Sequence, residues 1–448
     1  MAGNCRILES VSSRISRLCM LPEATRNPQG AACTLQPATS TRTNRITTTV
    51  MTSHRYRMPP EWATHEMTLM TWPDNRETWP GERLNRAEHV YADILEALTP
   101  HEKVLLLVAN EDAQQAAASI IQNRNVDWNR VRLVRMPTND AWIRDYGPIT
   151  LLREQYVDKA GKKAAAQTGA SEKLRDERAL ADSHVQNASG SRGDHARSSE
   201  KIRDMVMCDW GYNAWGGKYP PYDDDNAVPV RLAELLDYPV VSPGMILEGG
   251  SIEVNGAGFL LTTESVLLNP NRNPQMSKFQ IEKNLRKYLG VDKILWLKRG
   301  LRGDDTDGHI DDLTRFAGPQ TVVTSVSDDP SDPNYEVLRE NREILTNSAD
   351  CKGVPFEVIE LPLPATRIND TTVDGSEYVP ASYANFYIAN GCVLVPLYDK
   401  RYDDQVLKLF RRLFPDRSIK GIPCSDLVWG QGSIHCITQQ VPKLRERR

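Results

Sequence analysis

The stretch "KVLLLVANEDAQQAAASIIQNRNVDWNRVRLVRMPTNDAWIRDYGP", residues 103–148, holds the local plan that decides the fold. A strand, "KVLLLVAN", runs into the helical "EDAQQAAASIIQNRN", a second strand, "RVRLVRM", follows, and the copy ends in the polar tip "PTNDAWIRDYGP". The same plan recurs downstream. "SIEV" and "FLLTT" flank "NGAG" as a hairpin, "SKFQIEKNLRKYLG" is a helix with a Ser277 to Gln280 capping box and Gly290 at its end, and "KILWL" leads into the tip "GLRGDDTDGHIDD". Later "SYANFYIANGCVLVPLY" turns through Asn390-Gly391, "DDQVLKLFRRLF" places Val406, Leu409, Phe410 and Leu413 on one helical face, and "SIKGIPCSDLVWGQGSIHCITQQ" completes that copy. Copies with little identity to one another predict a radially repeated α/β assembly. The unusual residues sit in the tips, and loops on a rigid frame are where function concentrates.

Composition narrows the class. The 55 basic and 59 acidic side chains nearly cancel, and a net charge of -4 gives no reason to expect a nucleic acid partner. No apolar run approaches the ~18–20 residues needed to cross a bilayer, so no membrane partner is expected. The eight cysteines have no C-x-x-C pair and no regular spacing, which favours a reducing compartment over a disulfide framework or a zinc site.

Two segments stand apart. Residues 1–55 carry seven Arg, no Lys, and only Glu9 and Glu23 as acids, a balance that fits an organellar transit peptide or a flexible extension ahead of a start at Met51. Residues from about 154 to 203 hold one Tyr, no Trp and no Phe, too little apolar area to offset the entropy of ordering, and are expected to be a flexible insertion. The folded unit is then one domain, residues 56–448, interrupted by that insertion. The location expected is cytoplasmic, with organellar import if residues 1–55 are a targeting segment.

Four tips offer chemistry: Asp145 beside Trp142 in "WIRDYGP", Glu248 in "LEGGS", His309 and Asp311 in "DDTDGHIDD", and Cys436 in "IHCITQQ". Singly, each has a structural explanation, since Asp145 can pair with Arg144, Glu248 can hold a glycine bend and an isolated Cys is usually a small buried hydrophobe. Together they fit one reaction. A cysteine nucleophile needs a nearby cation to lower its pKa and a histidine to shuttle protons. If carboxylates line the pocket, the cation is the substrate, and a guanidinium fits: Asp145 and Asp311 grip its edges while Trp142 or Trp215 walls it. His309 and Asp311, two apart on a strand, would face one side, whereas His435, adjacent to Cys436 on a strand, would face away from it. A metal site built from His309, Asp311, Cys436 and His435 lacks ligand pairs at zinc spacing.

"MPPEWATHEMTLMTWP", "WIRDYGP", "GYNAWGG", "EGGSIEVNGAG", "LLTTESVLLNPNRNP", "TDGHIDD", "SYANFYIANG" and "GSIHCITQQVP", in this order from Met58 to Pro442, resemble the agmatine deiminase family of guanidine-modifying enzymes. The resemblance implies a pentein fold, a five-bladed α/β propeller of ββαβ units, and hydrolysis of agmatine to N-carbamoylputrescine and ammonia in polyamine synthesis from arginine. It implies Cys436 as nucleophile, His309 as general acid and base, Asp145 and Asp311 as guanidinium ligands, and Glu248 as the carboxylate that orients His309. No cofactor and no metal are implied, and a homodimer is left open. Selection of agmatine needs an acidic or polar collar for its amine, for which Asp305 is the candidate. The alternatives are a deiminase of free or peptidyl arginine and a catalytically inactive propeller used for binding.

Overall fold

The computed structural model describes residues 54–158, 199–368, 371–372 and 374–444. Five sheets form among them. In the first, β2 (His65–Thr71), β3 (Val104–Val108) and β4 (Val131–Arg135) run parallel, with α1 (Glu82–Leu98) crossing from β2 to β3 and α2 (Glu111–Ile121) from β3 to β4. All five residues of β3 are buried, as a strand covered on both faces requires. In the second sheet β5 (Ile149–Asp158) pairs antiparallel with β6 (Ser199–Cys208), α3 (Asp223–Leu236) follows, and β7 (Val240–Val241) returns parallel to β6. A short strand, β1 (His54–Arg57), pairs with the outer edge of β5.

The next three sheets repeat one scheme, in which two antiparallel strands are followed by a helix and a parallel strand. They are β8 (Glu253–Val254), β9 (Phe259–Thr263), α4 (Lys278–Leu289) and β10 (Lys293–Leu297); β11 (Thr314–Phe316), β12 (Thr321–Val326), α5 (Tyr335–Thr346) and β13 (Glu357–Pro362); and β14 (Tyr387–Ile388), β15 (Cys392–Leu397), α6 (Asp403–Leu413) and β16 (Ser418–Pro423). The last strand, β17 (Gln439–Pro442), lies antiparallel to β2 and closes the first sheet. Among the described residues the ββαβ unit therefore occurs five times, and the last strand, β17, completes the copy that β2 begins.

Local chemistry explains the helices. Ser277 and Gln280 close the expected capping box at the start of α4, and Gly290 ends it in the left-handed conformation. On α6, Val406 and Phe410 are buried and Leu409 and Leu413 pack against the same cluster, so the predicted face is the one that meets the sheet. β5 and β6 stay paired from Ile149 with Cys208 out to Asp158 with Ser199, which takes the first and last five residues of the expected 154–203 insertion into regular strand. The remainder of that insertion, and residues 1–53 of the expected extension, lie outside the described residues. Among the described residues no helix is long and apolar enough to cross a membrane.

This topology positions the site. Each link from one ββαβ unit to the next carries one of the residues at issue: Asp145 between β4 and β5, Glu248 between β7 and β8, His309 and Asp311 between β10 and β11, Asn385 between β13 and β14, and Cys436 between β16 and β17.

Candidate active site

The five links meet. The Gly250 N–H and the Trp215 indole N–H donate to the two oxygens of Asp145, at 3.0 and 2.9 Å, which fixes the carboxylate from both sides. His309 Nδ1 lies 3.7 Å from Asp145 Oδ1 and 4.0 Å from Asp311 Oδ1. Cys436 Sγ lies 3.8 Å from Asp311 Oδ2. Gly250 makes this approach possible, because a Cβ there would stand 2.6 Å from His309 Nδ1, 2.8 Å from Asp145 Oδ1 and 3.1 Å from Asp311 Oδ2.

A cavity of about 650 Å³ opens onto the cluster, with Trp142, Asp145, Trp215 and Cys436 on its wall. Trp142 is backed by Trp79, ring centroids 5.3 Å apart, and Trp215 packs edge-on against Tyr212 and Tyr219. Both indoles expected to wall the site are thus held rigid. The charged residues on the wall are six acids (Asp74, Glu77, Asp140, Asp145, Asp225 and Asp305) and two bases (Arg76 and Lys218).

Two expectations about local conformation fail, for identifiable reasons. His309 and Asp311 are not on a strand: His309 caps a 3-10 turn, Ile310–Asp312, and its N–H donates to Asp304 Oδ2 at 3.0 Å. They still face one site, through a turn instead of strand alternation. Cys436 and His435 are likewise in a turn ahead of β17, where the Thr438 hydroxyl bonds back to the carbonyls of Ile434 and His435 at 2.9 and 3.2 Å and coils the chain. His435 therefore does not face away. Its Nδ1 meets Asp311 Oδ2 at 2.6 Å, the same oxygen that neighbours Cys436.

Glu248 also differs from its expected contact. Its Oε1 accepts from Arg272 Nε at 2.6 Å, while Glu248 Oε2 and His309 Nε2 find no hydrogen-bond partner among the described residues. Arg272 is itself shared with Asp307 and the Thr306 carbonyl, so Glu248 anchors the guanidinium that underpins the His309 tip and makes no hydrogen bond to the imidazole. In the acidic tip, Asp304 is a turn cap, accepting from Thr306 and His309. Asp305 lines the cavity with its carboxylate engaged by Lys218 Nζ at 3.2 Å and by the Tyr219 hydroxyl.

Several participants carried no motif of their own. Asn385 Nδ2 donates to Cys436 Sγ at 3.2 Å and to Asp312 Oδ1 at 2.9 Å, and its Oδ1 accepts the His435 N–H at 2.8 Å. Glu61 meets His435 Nε2 at 2.8 Å, pairs ionically with Arg315 Nη2 at 2.9 Å and accepts the Ile388 N–H at 2.8 Å. Asn385 and Glu61 lie inside "SYANFYIANG" and "MPPEWATHE", so the segments were visible while the individual roles were not.

The electrostatics follow chiefly from burial, which outweighs the buried guanidinium groups of Arg144, Arg272 and Arg315. Burial, reinforced by Glu248, pushes Asp145 up to about 7. Burial and the facing carboxylates push Asp311 and Asp312 well above the usual range, and burial with Asp311, Asp312 and Asp145 does the same to the Cys436 thiol. Burial and Arg272 hold His309 well below its ordinary value. In the empty site burial thus favours the neutral forms of the acids, of the thiol and of the imidazole. A cation placed among them opposes the shifts of the acids and the thiol, because an opposite charge within ~4–6 Å favours the ionised acid and the thiolate, while on His309 it acts in the same direction as Arg272 and favours the neutral imidazole.

A family model described as Porphyromonas-type peptidyl-arginine deiminase matches residues 57–442. A Mycoplasma capricolum protein named "Putative agmatine deiminase" is 34% identical over 403 residues, covering 86% of this chain and 95% of that protein. Among solved structures, the agmatine deiminase of Enterococcus faecalis superposes with a TM-score of 0.69 at 29% identity, covering 87% of this chain and 96% of the other. The C. jejuni agmatine deiminase gives 0.66 at 26%, covering 87% and 97%.

Proposed function

This chain belongs to the Porphyromonas-type peptidyl-arginine deiminase family, and we propose that within it the protein hydrolyses agmatine to N-carbamoylputrescine and ammonia. The observation that carries the choice of substrate is the cavity wall, on which six carboxyl groups outnumber two bases; burial pushes Asp74, Asp140, Asp145 and Asp225 up, so that an entering cation favours their ionisation and an entering carboxylate opposes it. Agmatine brings a cation at each end and is favoured by such a wall, whereas the carboxylate of free arginine is repelled by it.

The guanidinium seats between Asp145 and Asp311, each carboxylate accepting N–H bonds on one edge. Its charge draws the proton off Cys436, and His309, neutral in the empty site, takes it up. Asn385 Nδ2, 3.2 Å away, donates to the sulfur as it becomes anionic. The thiolate attacks the guanidinium carbon. The His309 imidazolium then protonates one amino group of the tetrahedral adduct, ammonia leaves, and an amidino-cysteine remains. Neutral His309 next deprotonates a water that attacks the same carbon, and collapse of the second adduct breaks the C–S bond, releases the ureido product and returns the proton to the site. Glu248 acts at one remove, holding Arg272 and with it the tip that carries His309. The product is the precursor of putrescine in polyamine synthesis from arginine. Asp305, fixed by Lys218 and Tyr219, belongs to the collar around the distal amine.

Ammonia release from agmatine, free arginine and an arginyl peptide at equal concentration tests the reading. Agmatine is expected to exceed the others in kcat/KM by at least 100-fold; comparable rates on arginine or the peptide would overturn the choice of substrate.

A further inference from the structure

The mechanism leaves His435 without a task, yet it is among the most completely enclosed titratable groups near the site, 1% exposed and with both ring nitrogens engaged. Asp311 Oδ2 stands 2.6 Å from Nδ1 and Glu61 Oε2 stands 2.8 Å from Nε2. An imidazole nitrogen and a carboxylate oxygen can approach so closely only with a proton between them. Two such contacts require two protons on the Asp311, His435 and Glu61 chain. The first arrangement is neutral His435 with one carboxylic acid, and the second is an imidazolium between two carboxylates. Both carry a net charge of -1, and they differ only in where one proton sits.

The surroundings decide where it can go. Glu61 is held by Arg315, by Arg144 Nη2 at 3.4 Å and by the Ile388 N–H, so its anion is compensated three times over and it does not keep the second proton. Asp311 is buried against Asp145 and Asp312, which outweigh Arg315 and Arg144 acting in the opposite sense, and its Oδ1 finds no hydrogen-bond partner among the described residues. In the empty site the mobile proton therefore rests on Asp311 and is donated to His435 Nδ1. Once a guanidinium occupies the site, Asp311 must be anionic to accept from it, and the nearest base is that same nitrogen. We propose that His435 is the positioning residue for Asp311 and takes its proton when the guanidinium binds, so that this carboxylate ionises without losing a proton to solvent. The O–H bond at Asp311 Oδ2 breaks, the N–H bond at His435 Nδ1 forms, and the resulting imidazolium lies between two carboxylates, whose charges offset burial and the opposing fields of Arg315 and of Arg144, whose Nε donates to the His435 carbonyl at 3.2 Å. Fixing Oδ2 in this way also leaves Oδ1 as the oxygen free to meet the substrate. The inference rests on the guanidinium reading of the site.

The test is calorimetric titration of agmatine into Cys436→Ala protein between pH 6 and 8, in buffers of differing ionisation heat, with and without His435→Gln. Glutamine can accept from the Asp311 acid and donate to Glu61, but it cannot take up a proton. His435→Gln is expected to release about one more proton per agmatine bound, and its Kd is expected to rise a further tenfold for each pH unit lowered. Equal proton release and equal pH slopes would overturn the proposal. If His435→Gln gives no cooperative melt, nitrogen NMR of labelled histidine in Cys436→Ala protein decides: the His435 ring signals move to imidazolium values on saturation with agmatine, and unchanged signals refute the transfer. Failure of Cys436→Ala protein to bind agmatine at millimolar concentration would overturn the substrate reading itself, and this inference with it.

Discussion

Replacing Gly250 by Ala places one methyl group at the centre of the site. Gly250 lies in the 3-10 turn Gly249–Ser251, outside the left-handed region, so the backbone tolerates the change and the effect is steric. The new Cβ would stand 2.6 Å from His309 Nδ1 and 2.8 Å from Asp145 Oδ1. Against an ordinary separation of ~3.5 Å, the imidazole must move by about 0.9 Å and the carboxylate by about 0.7 Å. Asp145 is held by the Trp215 indole and by the Gly250 N–H itself, so the displacement cannot be absorbed by a free rotamer. A misplacement of ~1 Å typically lowers turnover by about 100-fold, or ~2.7 kcal/mol of barrier. Overpacking costs about 1–3 kcal/mol of stability in addition. Ammonia release measured beside a thermal melt separates the two effects. Gly250→Ala is expected to remain folded and to lose about two decades in kcat/KM; activity within threefold of the parent would refute the crowded geometry.

Asp145 has a folded pKa of about 7 against an unfolded value near ~3.9, so its neutral form favours folding, and that contribution is lost as pH rises from about 4 through about 7. Asp145→Asn should therefore stabilise the fold at pH 8, by at most roughly 4 kcal/mol and read as a higher melting temperature, and change it little at pH 4 while abolishing turnover; an unchanged melt at pH 8 contradicts the buried-charge argument. Asn385→Asp removes the donor to the Cys436 sulfur and adds an anion beside it, and kcat should fall about 10²–10³-fold; a threefold change or less would mean the 3.2 Å contact has no part in catalysis. Asp305→Asn leaves Lys218 paired with Asp307 alone and facing the cavity, so the KM for agmatine should rise about tenfold with kcat within twofold. An unchanged KM would take Asp305 out of the collar.

The repeated plan was legible because each copy carries its own local signals. The Ser277 box, Gly290 and the one-sided apolar face of α6 are encoded within a dozen residues, and each formed as expected. The closure of the ring was not legible, since β17 pairing with β2 joins Gln439 to Leu69 across the whole chain and leaves no periodic trace. The reactive residues were visible by type. Their geometry was less so, because period-two reasoning applies only within strands: it turned His435 away from Cys436, whereas a side chain to backbone bond from Thr438 coils that segment. Glu248 illustrates the same limit. A carboxylate beside two glycines announces a tip, but nothing local announces that Arg272, two dozen residues on, will claim it. Asn385 and Glu61 act through contacts more than fifty residues away in sequence, which only the folded ring brings together.

The account depends most directly on a carbon–sulfur bond at Cys436. Acid quenching of the protein within milliseconds of mixing with agmatine, followed by digestion and mass spectrometry, should find the peptide carrying Cys436 heavier by the substrate less ammonia, and should find no adduct on Cys208, Cys351, Cys392 or Cys424. Sustained ammonia release from Cys436→Ala protein, with no adduct in the parent at any quench time, would contradict it.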